Sequence, residues 1–487
     1  SCHTLMISYW LTRIDFKLLG VLAFTLLYGL AIAKKGIMLA ALWFVFPFLA
    51  IFLIVMFREP RTGVYIAVIM SFAANALSRY VPSIPFGLSL DGILVFTYVA
   101  ILLQPKKIPW KEANNPLTWL ALIWFMYNVF ELVNPEARSR VAWFYAMRGV
   151  AFYKLLLIPL ILVMLNKRKH LDTFLHIWFI LSLLASLKGI QQKHLGVDPF
   201  EQRWLDAGAA VQHILFGKLR VFSIYSDAGQ CGAAQAHTFV TATVIALGNI
   251  PLKKKIFYGI VGLLGAYGMM ISGTRGALAI PALGFFTYFV LSKNFKIVTL
   301  GLITGFLAFG FLKFTTIGQN VYMINRMRTA LNPNDPSLLV RLENQRKLRG
   351  YLASRPFGGG VGSAGNWGLR FSPNTFLAQT PTDSWYVRIW AEYGVVGLYL
   401  HLFVLFSIAG VTGYYIWNMQ DPILRQKMMG MHGGMMGIYL ASYGNGVLGQ
   451  MPTGIIIYCS MAFMFLIPKL DKSYQNPKEE GASLREI

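Results

Sequence analysis

Three stretches of this sequence concentrate residue types that grip anions. The first is Lys218-Leu-Arg220-Val-Phe-Ser-Ile-Tyr-Ser-Asp227-Ala-Gly-Gln230, which leads into an apolar run. The second is Ser272-Gly-Thr-Arg275-Gly276, a short turn between two apolar runs that leaves one arginine at the start of the next helix. A helix N-terminus presents free N–H groups and the positive end of a dipole. A guanidinium beside it adds a two-pronged fork for phosphate. Arg275 in that position suits a phosphate, and it equally suits an interfacial arginine reaching lipid headgroups. The third stretch, about 336–354, reads as a helix that Pro336 can start and Pro356 must stop. At 100° per residue, Leu338, Leu342, Leu348 and Leu352 share a face with Arg341, Gln345 and Arg349. Two arginines inside a leucine stripe are costly unless they meet an anion or an acid. Glu343 and Lys347 fall opposite, as a solvated pair.

Two more features flank that helix. Gly358-Gly-Gly-Val-Gly362 is permissive backbone, open to close approach by a ligand or simply a loop. Thr380-Pro-Thr-Asp383-Ser-Trp-Tyr386-Val-Arg388 then enters another helix. Asp383 is placed either to cap that helix or to serve as a general base at the mouth of a basic cavity. The roles compete, since a carboxylate engaged by N–H donors takes up a proton less readily. Glu392 is positioned to pair with Arg388, one turn earlier.

The elements that hold these residues are set by composition. Of 487 residues 56% are hydrophobic and only 13% charged, against about a quarter charged in soluble domains. That excludes an ordinary cytosolic enzyme, a disordered chain and a nucleic-acid binder. The net charge of +24 then points to anionic lipids or anionic substrates. Cys2, Cys231 and Cys459 are scattered without a C-x-x-C, so neither a disulfide framework nor a zinc site is expected.

Apolar runs near the length needed to cross a bilayer recur at about 17–33, 37–57, 63–78, 88–104, 116–133, 150–166, 172–190, 233–251, 255–272, 276–292, 296–313, 385–417, 428–447 and 451–468. The expected fold class is all-α, a polytopic integral membrane protein with 12–14 transmembrane helices and one large, partly helical periplasmic loop. The first run lacks a small-x-small exit, so no cleavable signal is expected. Short basic connections alternate: Arg58/Arg61, Lys106/Lys107/Lys111, Lys167/Arg168/Lys169, Lys253/Lys254/Lys255, Lys293/Lys296, Arg425/Lys427 and Lys469/Lys472. The positive-inside rule puts these and both termini in the cytoplasm, the last as a solvated tail over 469–487. The expected organisation is a membrane bundle over 1–313 with an outer loop near 191–232, a large outer loop over 314–383, and further spans over 384–468. That large loop holds eight cations and only three acids, which suits a pocket for a polyanionic substrate or a solvated loop of random charge.

R-V-F-S-x-Y-S-D-A-G-Q, S-G-T-R-G-A, R-P-F-G-G-G-V-G-S and T-D-S-W-Y-V-R-I-W-A-E-Y-G-V-V-G-L occur in that order. Together they resemble the O-antigen ligase and O-antigen polymerase superfamily over about 210–420. The resemblance implies a metal-independent, inverting glycosyltransferase of the GT-C type in the bacterial inner membrane, without a cofactor. Its donor would be an undecaprenyl-diphosphate-linked glycan, and its acceptor a glycan or lipid-linked hydroxyl. Membrane lipids and other polysaccharide-assembly proteins would be its remaining partners. Residues matching Arg220 and Arg275 hold the donor diphosphate in the family, and Arg341 matches an arginine of the loop helix. Lipid A-core ligases generally carry a histidine where this chain has Asp383-Ser384, so the base here differs; His194, His213 and His237 are alternatives that spacing does not select. The expected site is therefore Asp383, Arg275 and Arg220 at the reacting centre, with Arg341, Arg349, Lys218 and Arg388 binding substrate. A transporter or flippase of lipid-linked glycans is the competing class, although such proteins tend to carry repeats and broken midplane helices.

Overall fold

The computed structural model describes residues 16–35, 47, 50–104, 108–215, 217–332 and 336–475. Lys106, Lys107, Cys2, Asp335 and the end of the solvated tail lie outside them. The protein is all-α and polytopic: apart from one two-stranded hairpin, its described elements are helices and turns. Among the described residues, seven helices are long and apolar enough to cross a membrane: Pro116–Val133, Arg140–Met164, Arg168–His194, Leu252–Ile271, Arg275–Ser292, Phe295–Phe314 and Trp385–Asn418. Shorter apolar helices cover Phe86–Leu102 and Thr453–Phe465. Helices Phe16–Lys35, Arg61–Tyr80, Ala228–Ala246 and Pro422–Ala441 fall at other expected spans.

The chain divides into two compact units, Ser1–Thr62 with Thr97–Gln104, and Gly63–Phe96 with Pro105–Ile487. In the first, Gln104 Nε2 donates to Phe57 O at 2.8 Å and Thr97 Oγ1 approaches Met56 Sδ at 3.9 Å. Everything that follows concerns the second.

Small residues let its central helices approach closely, the usual basis of helix association in lipid. A Cβ added at Gly433 would come within 2.7 Å of Gly284 O, and one at Gly265 within 2.9 Å of Gln235 O. Gln235 shows how a buried polar group is paired in an apolar surround. Gln235 donates to Tyr225 Oη at 3.0 Å and accepts from Ser186 Oγ at 2.8 Å. Asp91, the acid within the 88–104 run, accepts from Arg148 Nε at 2.9 Å.

Basic loops that the charge pattern assigns to one side do meet. Arg168 pairs with Asp421 and donates to Leu470 O at 2.9 Å, while Lys427 pairs with Asp172 and Lys469 with Glu112.

Two expected boundaries change. The run at 428–447 is a helix over Pro422–Ala441, started by Asp421, which accepts from the Ile423 and Leu424 amides. Residues 442–452 then form a bend and a single 3₁₀ turn. The helix Trp385–Asn418 breaks at Gly394, whose φ is +68°. Pro356 O sits where a Gly394 Cβ would be, and Gly359 and Gly360 donate to Ala391 O and Glu392 O at 2.9 and 3.0 Å. The glycine loop 358–362 therefore packs on this helix.

Candidate functional site

Arg220 leaves a small antiparallel hairpin, Ile214–Leu215 with Lys218–Leu219, and its amide closes that hairpin on His213 O at 2.7 Å. Its guanidinium donates from Nη1 to Gln212 O at 3.3 Å and from Nη2 to Thr274 Oγ1 at 3.2 Å. The second bond ties the hairpin to the Ser272–Gly276 turn. Thr274 is buried there, donating in turn to Ala228 O at 2.7 Å.

Arg275, next in the chain, opens a 3₁₀ turn, Arg275–Leu278, before the α-helix proper begins at Ala279. Its Nη1 lies 3.5 Å from Thr329 Oγ1, and Arg326 Nε donates to Gly273 O at 3.4 Å. Three arginines from three separate stretches, Arg220, Arg275 and Arg326, thus gather on one turn.

The bend at 442–446 brings in a fourth. Asn445 overlies the turn, since a Cβ on Gly276 would come within 2.8 Å of Asn445 Nδ2. One residue earlier, a Cβ on Gly444 would stand 3.9 Å from Arg341 Nη1. Asn445 Nδ2 is buried without a hydrogen-bond partner among the described residues. An unmet buried donor costs about 1–3 kcal/mol, so this bend, with Arg341 beside it, marks a place that an acceptor-rich group would stabilise.

Arg341 projects from the loop helix Pro336–Leu352. Its Nε stands 3.7 Å from Asp383 Oδ2, in a loose pair whose side chains are 37% and 51% exposed. Between them, Gln345 and Tyr443 lies a cavity of about 100 Å³. Asp383 is not the helix cap. Ser384 is, accepting from the Val387 amide at 3.4 Å, which leaves Asp383 half-exposed beside Arg341.

The helix face differs from expectation. Leu348 and Leu352 are buried against Ala364, Leu377 and Ala391, with Arg341, Asn344 and Gln345 half-buried on the same side. Leu338, Leu342 and Arg349 are exposed. The apolar stripe covers only the second half of the helix, so Arg349 faces out and carries no desolvation cost. Glu343 pairs with Arg346 at 2.9 Å, not with Lys347.

Of the remaining expected residues, Lys218 is exposed on the hairpin. Arg388 gives its Nε to Glu392 at 3.1 Å, and the buried Glu392 also accepts from the Ala364 amide at 3.3 Å. Of the three histidines, His213 accepts the Arg220 amide on its carbonyl and sets its ring Nδ1 on Ala209 O at 2.8 Å, while His194 sits on Tyr267 Oη at 2.7 Å and His237 is buried against Trp178. Burial lowers the His213 imidazole below its ordinary value. Among the described residues no three His, Cys, Asp or Glu side chains cluster as metal ligands.

Residues 260–402 match the family model described as O-antigen ligase. The similarity to that family is confined to this segment. No curated protein matches the chain. The matched segment contains Arg275, Arg326, Arg341 and Asp383, whereas Arg220 and Asn445 reach it from outside.

Sequence reasoning missed Arg79 and Asn445 altogether and did not single out Arg326. Arg79 is buried with its guanidinium between the Trp204 and Phe222 rings, 4.6 and 4.5 Å from their centroids. It donates to Ser223 O at 2.6 Å and to Tyr225 O, and so shapes the segment that follows Arg220. A basic residue at the end of a run expected to face outward was the available signal for it. Asn445 had none, because it sat inside an expected span.

Proposed function

We propose that this protein transfers a glycan from a polyprenyl diphosphate to an acceptor hydroxyl at the outer face of the bacterial inner membrane, with both termini in the cytoplasm. The observation that carries this reading is the gathering of Arg220, Arg275 and Arg326 on the Ser272–Gly276 turn, with Arg341 and Asn445 close by. A diphosphate offers many acceptor oxygens and a double negative charge. Fixed guanidinium groups match both, each charge-assisted bond contributing about 1.5–3 kcal/mol. The lipid tail would lie among the membrane helices.

In the reaction, the bond between the sugar's anomeric carbon and the phosphate oxygen breaks, and the electron pair stays on the departing diphosphate. Preorganised arginines stabilise that growing charge. The acceptor hydroxyl forms the new bond from the opposite side, inverting the centre, and its proton passes to Asp383. The Arg341–Asp383 pair is open enough for a hydroxyl to enter, since exposed ion pairs contribute little. Lys218 and Arg349, both exposed, would add long-range charge rather than contact, and Arg388 would position the helix through Glu392. A metal ion is not required when guanidinium charge already faces the leaving group.

The test is reconstitution in liposomes with a polyprenyl-diphosphate glycan and an acceptor. A new glycosidic bond supports the reading. Movement of lipid between leaflets without a new bond makes the protein a transporter instead. Gels of surface polysaccharide from a deletion strain then divide the two enzyme roles: lost long chains mean polymerase, and long chains held on the carrier lipid mean ligase.

A further inference from the structure

A second site opens at the far end of the loop helix. A cavity of about 660 Å³ is lined by Glu136, Arg138, Tyr351, Arg355, Asn374 and Phe376 among others. That volume lies within the usual range for small-ligand pockets. Its wall is a stack of three layers. The Arg355 guanidinium lies 4.2 Å from the Tyr351 ring centroid, and Tyr351 stacks on Phe376 at 4.7 Å with 20° between planes. Both faces of Tyr351 are thereby used, and the outermost ring, Phe376, remains 39% exposed.

The stack is held in place from beneath. Leu377 packs with Leu348 and Leu352. Thr375 Oγ1 donates to Ser372 O at 2.9 Å, and Gln379 Nε2 donates to Pro373 O at 2.7 Å. Such preorganisation lowers the entropy cost of binding.

The chemistry differs from that of the arginine cluster. Arg355 is paired with Glu136 at 3.2 Å, and Arg138 leaves the groove with one cation in excess. A fixed aromatic face beside planar polar side chains fits a pyranose ring, which has an apolar C–H face and an equatorial belt of hydroxyls. One excess cation matches a diphosphate less well than the arginine cluster does. Arg341 and Tyr351 are ten residues apart on one helix, which places the groove about 15 Å along the axis from Arg341.

We propose that this groove binds an oligosaccharide, the glycan chain beyond the sugar that reacts. The assignment rests on the glycan-transfer reading and adds a subsite to it. The groove holds the chain by its ring faces while the reacting end lies at the Arg341–Asp383 end of the helix.

The experiment is calorimetric titration of the full-length protein in nanodiscs with soluble oligosaccharides, released by mild acid from the producing strain's surface polysaccharide. Binding is expected for the unaltered protein and should weaken about tenfold in Phe376→Ala, which loses an exposed ring face. Asn374→Ala should weaken it less, and Arg275→Ala should bind as the unaltered protein does. Absence of binding by the unaltered protein overturns the proposal, as does unchanged binding by Phe376→Ala. Equal loss in Arg275→Ala also overturns it, since the sugar would then sit at the arginine cluster. Failure of Arg275→Ala to impair transfer is a separate result that strikes the diphosphate reading, not the groove.

Discussion

Arg220 donates to the hydroxyl of Thr274, 54 residues further along the chain, at 3.2 Å. That bond joins a hairpin outside the matched segment to the turn inside it that carries Arg275. Thr274 also donates to Ala228 O, at the start of the helix that follows Arg220. One buried hydroxyl thus registers two chain segments and holds the Arg220 guanidinium on the turn.

Thr274→Val removes both bonds while keeping the side chain's shape. Bonds to charged groups contribute about 1.5–3 kcal/mol, so transfer should fall about ten- to a hundredfold. Thr274→Ser, which restores the hydroxyl, should recover most of it. Reconstituted transfer assays on the two variants check this.

Asp383 and Ser384 are neighbours with separable roles. Ser384→Ala loses the helix cap and should cost about 1 kcal/mol of stability, lowering the unfolding midpoint with transfer largely kept. Asp383→Asn should leave the midpoint unchanged and reduce transfer about 10²- to 10⁴-fold, the usual span for a lost general base. A reversed pattern would make Asp383 the structural residue.

Arg79 supports the Arg220 segment from below. Arg79→Leu strands the Tyr225 carbonyl that it now holds and leaves Ser223 O with only the longer bond from Gln192 Nε2 at 3.4 Å. Each unmet acceptor costs about 1–3 kcal/mol, so thermal unfolding in detergent should come markedly earlier than in the unaltered protein.

Acid should loosen the same region through Asp198. This carboxylate starts the helix Pro199–Trp204, which supplies one of the rings around Arg79. Burial alone would raise it, but hydrogen bonds from Tyr80, the Glu201 amide and Lys188 outweigh that and hold it well below the usual carboxylate range. A carboxyl depressed in the folded state contributes stability that is complete above its unfolded pKa and lost as pH falls toward the folded one. The unfolding midpoint should therefore drop below about pH 4, and Asp198→Asn should flatten that drop.

What could be read from sequence follows from the physics each signal reports. Hydropathy marks where a helix can cross lipid, so most spans and the turn bearing Arg275 were legible. Charge alternation grouped loops that do meet, as Arg168 and Asp421 demonstrate. A helical wheel, however, reports periodicity and not which neighbour arrives. It placed Arg349 on a buried stripe, whereas packing by Ala364, Leu377 and Ala391 buries the face centred on Leu348. Asn445 was invisible because the helix that precedes it begins at Pro422 and ends at Ala441, shifting the bend into an expected span. Arg79 acts across 144 residues, and no local pattern encodes that contact.

The most direct test of the arginine cluster is glycan transfer by Arg275→Ala, reconstituted at equal inserted amount and equal thermal stability. The account predicts a fall of roughly one to two orders of magnitude, with Arg275→Lys recovering only part of it because an ammonium lacks the fork. Transfer at the unaltered rate would contradict it.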